Sequence, residues 1–148
     1  GVKLKLSSTK TIVKNKSIVL IDDSLVRGTT CFKIVKMLYE SGAKEVHVRI
    51  ACPEIIYPDF YGVDMPTKDE LLAYKKNNKE MCNYITAKSL KFLSLDGLYS
   101  ALIGSKRNNS YPQFSDHYFT GDYPIKPADD LEGLKVKQLS LLSGKSNN

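Results

Sequence analysis

The stretch Ile18-Val19-Leu20-Ile21-Asp22-Asp23-Ser24-Leu25-Val26-Arg27-Gly28-Thr29-Thr30 constrains this chain more than any other. Its four opening aliphatic residues, among them the β-branched Ile18, Val19 and Ile21, form a continuous apolar run that predicts a strand covered on both faces of a parallel sheet. Asp22 and Asp23 then fall at the carboxyl end of that strand, where open α/β sheets place their ligands. Successive side chains of extended backbone point to opposite sides. One acid is thus free to face a ligand while the other orients a backbone amide, a metal-bound water or a second hydroxyl.

From Thr30 the apolar residues Ile34, Val35 and Leu38 recur at helical spacing, which makes Thr29 or Thr30 the predicted N-cap. A helix start offers free amides and a positive dipole end, Gly28 permits close backbone approach, and Ser24, Thr29 and Thr30 add small hydroxyl donors. These parts make an anion cradle. Carboxylates suit ribose hydroxyls and Mg²⁺, which takes oxygen ligands and often keeps water and substrate phosphates. Acids beside a phosphate loop therefore imply a ribose 5-phosphate. Singly, the acids could merely end a strand and Gly-Thr-Thr merely cap a helix, but their order favours the phosphate site.

The segment Val19 to Thr30 resembles the phosphoribosyl pyrophosphate (PRPP) motif of type I phosphoribosyltransferases. Three further segments narrow the resemblance: Ser41 to Ala51, Tyr57 to Pro66 with its Tyr61-Gly62-Val63-Asp64-Met65-Pro66, and Phe119-Thr120-Gly121-Asp122-Tyr123-Pro124. Over residues 3 to 125 the chain is similar to the C-terminal part of the amidophosphoribosyltransferase family. The resemblance implies an α/β fold, a partial type I phosphoribosyltransferase with a Rossmann-like parallel sheet flanked by helices and an irregular C-terminal extension. It implies transfer of glutamine-derived ammonia to PRPP, giving 5-phosphoribosylamine, the first step of purine synthesis. By position, Asp22 and Asp23 would contact the ribose hydroxyls and Mg²⁺, while Ser24, Arg27, Gly28, Thr29 and Thr30 would hold the 5-phosphate, with Arg27 shaping the loop or adding charge. Purine nucleotides and a family-type homo-oligomer are further implied partners.

The family's glutaminase domain, pyrophosphate-binding segment and flexible lid have no counterpart in these residues. Only Gly1 to Ser17 precede the substrate strand, so the sequence reads as a fragment, with residues 1–127 as the C-terminal part of a transferase domain and residues 128–148 as a tail. No catalytic residue is assigned, and an upstream glutaminase or transferase fragment is a candidate partner. Two other readings stand beside this one: a PRPP-binding regulatory module without transferase activity, and a nonfunctional remnant. Some family members hold an iron–sulfur cluster through cysteines near the later motifs. Here those stretches read Tyr57-Pro58-Asp59-Phe60 and Ser115-Asp116-His117-Tyr118-Phe119, so no cluster is expected.

The 148 residues suffice for one modest core, and 42% hydrophobic content excludes a disordered composition. The net charge of +6 is scattered, and Lys3, Lys5, Lys10, Lys14 and Lys16 lack interleaved aromatics, so a solvated surface is favoured over nucleic-acid binding. No stretch has the roughly 20 apolar residues of a membrane span, and no signal peptide is evident. Cys31, Cys52 and Cys82 form neither a disulfide framework nor a CxxC pair, which fits a reducing cytoplasm. Cys31, at a helix start, has no nearby base in sequence and reads as a buried small residue rather than a nucleophile.

Elsewhere, Gly42 suits the left-handed end of a helix over residues 30–41, and Glu45 to Ala51 alternates as a strand, so a right-handed parallel crossover follows. His47, in mid-strand, reads as a structural or interface residue rather than a base. Tyr57, Phe60 and Tyr61 either line a nucleotide pocket or anchor their loop on the sheet, and Asp64 either meets a ligand or caps a turn. Thr67-Lys68-Asp69-Glu70 fits a capping box, a second helix runs near 79–87, Leu90 to Leu93 form a strand, and Ser94 caps a helix ending near Gly104. Residues 111–127 pack without long regular structure, and the tail carries a weak helix over 131–142 before a disordered end.

Overall fold

The computed structural model describes residues 10–62 and 67–125. A short helix α1 (Lys10–Val13) leads into β1 (Ser17–Asp22), helix α2 (Thr29–Glu40) and β2 (Glu45–Ile50). An irregular loop follows, then a 3₁₀ turn (Lys68–Glu70), α3 (Leu72–Lys75), α4 (Asn78–Tyr84), β3 (Ser89–Phe92), α5 (Leu95–Ile103) and α6 (His117–Thr120). The described strands form one three-stranded parallel sheet in the order β1-β2-β3, with Leu20 opposite Val48 and Val48 opposite Leu90. This is the α/β architecture that the crossover pattern predicts.

The core lies on one face of the sheet. Val46, Val48 and Ile50 of β2 and Leu90 of β3 are buried there against Cys31, Val35 and Leu38 of α2, Met81 of α4 and Ile85, with Ile18 and Leu20 of β1 packed beside them. Helix α2 ends as its Gly42 predicts: Gly42 takes φ 93°, its amide donates to the Tyr39 carbonyl, and the Ala43 amide reaches back to Leu38. That bonding pattern satisfies carbonyls that the helix end leaves open. Ser94 caps α5 by accepting from the Gly97 amide at 3.0 Å, and Gly104 closes that helix at φ 68°.

Four expectations need correction. β1 is not covered on both faces: Val19 is 59% and Ile21 72% exposed, and among the described residues β1 is an edge strand. A short apolar run reports hydrophobicity but not the number of covered faces. Helix α2 is entered through Gly28 in a left-handed conformation (φ 76°), so Thr29 and Thr30 lie inside its first turn rather than at the N-cap. The Thr67 box does not form; the residues after it make a 3₁₀ turn and a separate short helix, and the capping box is Asn77 with Glu80, whose side chains exchange bonds with each other's backbone amides at 3.0 and 2.9 Å. Finally, Tyr57, Phe60 and Tyr61 anchor their loop to the segment 117–125 rather than to the sheet. Tyr57 lies against Gly121, the Phe60 and Tyr123 rings are 5.3 Å apart, and the Tyr61 hydroxyl donates to the Ile125 carbonyl at 2.6 Å. Asp64 and the tail 128–148 lie outside the described residues.

Candidate functional site

A cleft of about 300 Å³ opens at the carboxyl end of β1, and its lining is the continuous run Asp22 to Cys31. All seven residues singled out in the sequence, Asp22, Asp23, Ser24, Arg27, Gly28, Thr29 and Thr30, therefore border one space. Strand β1 ends at Asp22, Asp23 opens the loop 23–28 that turns round the cleft, and the start of α2 closes it.

The acids are arranged by local bonds. Asp22 Oδ1 accepts from the Asp23 amide at 3.1 Å, and the Ser24 hydroxyl donates to Asp23 Oδ1 at 3.0 Å. No side chain caps α2, whose first turn includes Thr29, Thr30 and Cys31. Amides in that turn have no intrahelical acceptor, so they present donors and the positive end of the helix dipole to an anion. Acidic residues are also missing from this first turn, so nothing there repels a phosphate.

The loop is fixed from behind. Leu25 is buried, and the Leu72 amide donates to the Val26 carbonyl at 2.9 Å. Arg27 Nη2 contacts Glu70 Oε2 at 2.7 Å in an exposed pair, so its charge is engaged by a carboxylate that the local sequence pattern does not connect to it. Gly28 is required twice over. Its φ of 76° disfavours any side chain, and a β carbon there would stand 2.7 Å from Leu72 Cδ2 and 3.0 Å from Tyr84 Cε1. Glu70, Leu72 and Tyr84 were not visible as site-supporting residues because they meet the loop only through the fold.

Cys31 is buried beneath the cleft. Burial first, and then the negative charge of Asp22, push its thiol up to about 11. Cys52, past the end of β2, is likewise raised to about 11 by burial and then by Asp23 and Asp22. Neither is a thiolate near neutrality, which agrees with Cys31 as a packing residue. His47 is also not part of the cleft: its Nδ1 lies 2.8 Å from the Ser89 hydroxyl and its Nε2 3.6 Å from Glu45.

A second polar cluster joins the loop after β2 to the segment around α6. His117 Nε2 bonds Asp59 Oδ1 at 2.7 Å with both side chains buried, and His117 Nδ1 lies 3.0 Å from the Ser115 hydroxyl. Next to it, Asp116 accepts from Arg107 Nε at 2.6 Å and from the Tyr99 hydroxyl at 2.7 Å, while Arg107 also reaches Asp122 at 2.6 Å. Burial alone would raise the Asp116 carboxyl, but the bonds from Arg107 and Tyr99 outweigh it and hold it below its ordinary value. This cluster fastens the C-terminal segment and stands apart from the cleft lining.

Among the described residues no helix is long and apolar enough to cross a membrane, and no group of three or more His, Cys, Asp or Glu side chains is placed to hold a metal by itself. Two carboxylates still suit a cation that completes its shell with substrate oxygens and water.

No protein-family model matches the chain. It is 52% identical over 144 residues to amidophosphoribosyltransferase of Rhizobium etli, covering 97% of this chain and 29% of that protein. It is also 52% identical over 124 residues to amidophosphoribosyltransferase of Staphylococcus aureus strain N315, covering 84% of this chain and 25% of that one. Among solved structures, glutamine PRPP amidotransferase from B. subtilis, complexed with ADP and GMP, superposes with a TM-score of 0.73 at 44% identity, over 82% of this chain and 26% of that one. A second structure, described as the allosteric regulatory enzyme of purine biosynthesis, gives a TM-score of 0.69 at 40% identity. The chain spans 25–29% of the length of these curated relatives. In sequence and in fold it matches the C-terminal part of amidophosphoribosyltransferase, with the strands and helices of a partial type I phosphoribosyltransferase domain.

Proposed function

We propose that the cleft bordered by Asp22 to Cys31 binds the ribose 5-phosphate portion of PRPP, as one part of an amidophosphoribosyltransferase site. The observation that carries this reading is the convergence of two carboxylates, three hydroxyls and an uncapped helix start on one cleft at the carboxyl end of β1. Asp22 and Asp23 accept from the ribose hydroxyls. The hydroxyls of Ser24, Thr29 and Thr30 and the first-turn amides of α2 donate to the 5-phosphate. Arg27, held by Glu70, shapes the loop.

In the proposed reaction ammonia attacks the anomeric carbon of PRPP as the bond to pyrophosphate breaks; the nitrogen loses a proton and 5-phosphoribosylamine remains. The work of these residues is placement and electrostatics. Positive charge developing on the sugar ring is stabilised by the Asp22 and Asp23 carboxylates, with Asp22 held in place by the Asp23 amide. Bound Mg²⁺, held through Asp22 and Asp23, would neutralise the departing pyrophosphate. Purine nucleoside monophosphates share the ribose 5-phosphate, so the same cleft accepts them. The ammonia source, a glutaminase, and the pyrophosphate contacts come from other parts of the enzyme, so the chain alone binds these ligands weakly and makes no phosphoribosylamine.

Calorimetry with PRPP and Mg²⁺ tests this reading, comparing the chain with an Asp22→Asn, Asp23→Asn double variant. Binding that is lost in the double variant is the expected result. Unchanged binding, or ammonia-dependent turnover by the chain alone, would overturn it.

A further inference from the structure

Three side chains of the polar cluster stand in a row that its fastening role does not account for. The Asp59 carboxylate bonds His117 Nε2 at 2.7 Å, and His117 Nδ1 lies 3.0 Å from the Ser115 hydroxyl. A carboxylate only accepts, so Nε2 carries the ring proton and Nδ1 is left as an acceptor. The Ser115 hydroxyl therefore donates to Nδ1. Asp59 is itself oriented, since its Oδ2 accepts from the Tyr61 amide at 3.0 Å. The imidazole is clamped by the rings of Tyr118, Tyr123 and Tyr61, at 4.0, 5.0 and 5.1 Å between centroids. The neighbouring Asp116 carboxylate is taken up by Arg107 and Tyr99 and does not compete for the ring.

Burial sorts the three in the order that nucleophilic catalysis needs. The Asp59 and His117 side chains are 0% and 1% exposed, while Ser115 is exposed. Tying the C-terminal segment down requires only the buried pair; an exposed hydroxyl on the remaining ring nitrogen adds a nucleophile held on its base. A hydroxyl, a base within hydrogen-bond reach and a third group orienting that base make up an activated nucleophile. We propose that Ser115 is an acyl-accepting serine, with His117 as its general base and Asp59 as the positioning residue that fixes the tautomer. Its substrates are activated acyl groups, of which small aryl esters are the simplest. Ser115 Oγ attacks the ester carbonyl carbon and its proton passes to His117 Nδ1. The bond to the aryl oxygen breaks, and the phenol leaves with that proton. Water, giving a proton to Nδ1, then attacks the acyl-serine; the carboxylic acid departs and the Ser115 hydroxyl is restored. This site stands apart from the cleft lining, so the inference does not rest on the cleft assignment.

The test treats the 148-residue chain with p-nitrophenyl acetate, following p-nitrophenol release and locating the acetyl group by peptide mass spectrometry. Ser115 should be acetylated, and the exposed Ser105, which has no such base, should react at least about 100-fold more slowly. Ser115→Ala should abolish the initial burst of p-nitrophenol. Asp59→Asn keeps a hydrogen bond to the ring but lets the side-chain amide donate to Nε2, which moves the ring proton to Nδ1. It should slow acetylation of Ser115 by about 100-fold or more in protein whose circular dichroism matches the parent. Nitrogen NMR of the parent's His117 ring supplies a readout that needs no variant: the proton should sit on Nε2. The proposal is overturned if Ser115 is labelled no faster than Ser105, if folded Asp59→Asn reacts as fast as the parent, or if the proton sits on Nδ1. PRPP binding at the cleft is unaffected by any of these outcomes, so the two readings fail separately.

Discussion

Gly28 sits so close to Leu72 that a β carbon on it would lie 2.7 Å from Leu72 Cδ2, and this contact couples the loop around the cleft to helix α3. The loop is thus shaped by a segment more than 40 residues further along the chain, through the Gly28 contact, the Val26 to Leu72 bond and the Arg27 to Glu70 ion pair, whose sequence separation is 43.

Gly28→Ala should therefore be costly beyond its added methyl. A left-handed non-glycine residue costs about 1–3 kcal/mol, and the contact with Leu72 must also yield. Denaturant titration should show a loss in that range, together with loss of ribose 5-phosphate binding. Glu70→Gln, by contrast, touches an exposed pair and should change stability by less than about 1 kcal/mol.

Removing one member of the buried Asp59–His117 pair should be among the most damaging substitutions in the chain. Asp59→Ala takes away the carboxylate bonded to His117 Nε2, and leaving a buried polar group without its partner typically costs about 1–3 kcal/mol. Thermal denaturation should show a large loss for Asp59→Ala, and limited proteolysis should cut first in the residues after Phe114. A melt within error of the parent would contradict the structural role assigned to the pair.

The Asp116 carboxyl, held below its ordinary value by Arg107 and Tyr99 against the opposing effect of burial, sets a dependence on acid. A group whose pKa is lower in the folded state contributes stability that is present above its unfolded value, about 3.9, and is lost as pH falls through the folded value. Stability of the parent should thus decline below about pH 4. Arg107→Gln should be less stable at pH 7 and show a shallower acid decline, read from denaturation midpoints between neutrality and strong acid.

Thiol chemistry reports on the acids of the cleft. With Cys31 raised to about 11 by burial and by Asp22, alkylation at pH 8 should be slow in the native state. Asp22→Asn removes the second cause and should speed Cys31 labelling. Equal rates in parent and variant would mean that burial alone protects the thiol.

The cleft was legible because its parts are consecutive: strand, acids, loop and helix start follow one another between Ile18 and Thr30, and short-range pattern reads such an order directly. Helix ends marked by Gly42, Ser94 and Gly104 were legible for the same reason. What failed was competition between local signals, as at Thr67, where the Asn77 to Glu80 box forms and the Thr67 one does not. Coverage of β1 was also hidden, since Val19 and Ile21 are as apolar as a doubly buried strand requires while the fold leaves them open. Contacts such as His117 with Asp59, 58 residues apart, have no local signature at all.

The most direct test of the central claim is an amide NMR titration of the chain with ribose 5-phosphate. Shifts should concentrate at Ser24 and at Gly28 to Cys31, saturate, and vanish in the Asp22→Asn, Asp23→Asn variant supplemented with Gly28→Ala. Shifts that spread over the lysine-bearing surface while these amides stay unmoved would contradict the assignment of the cleft.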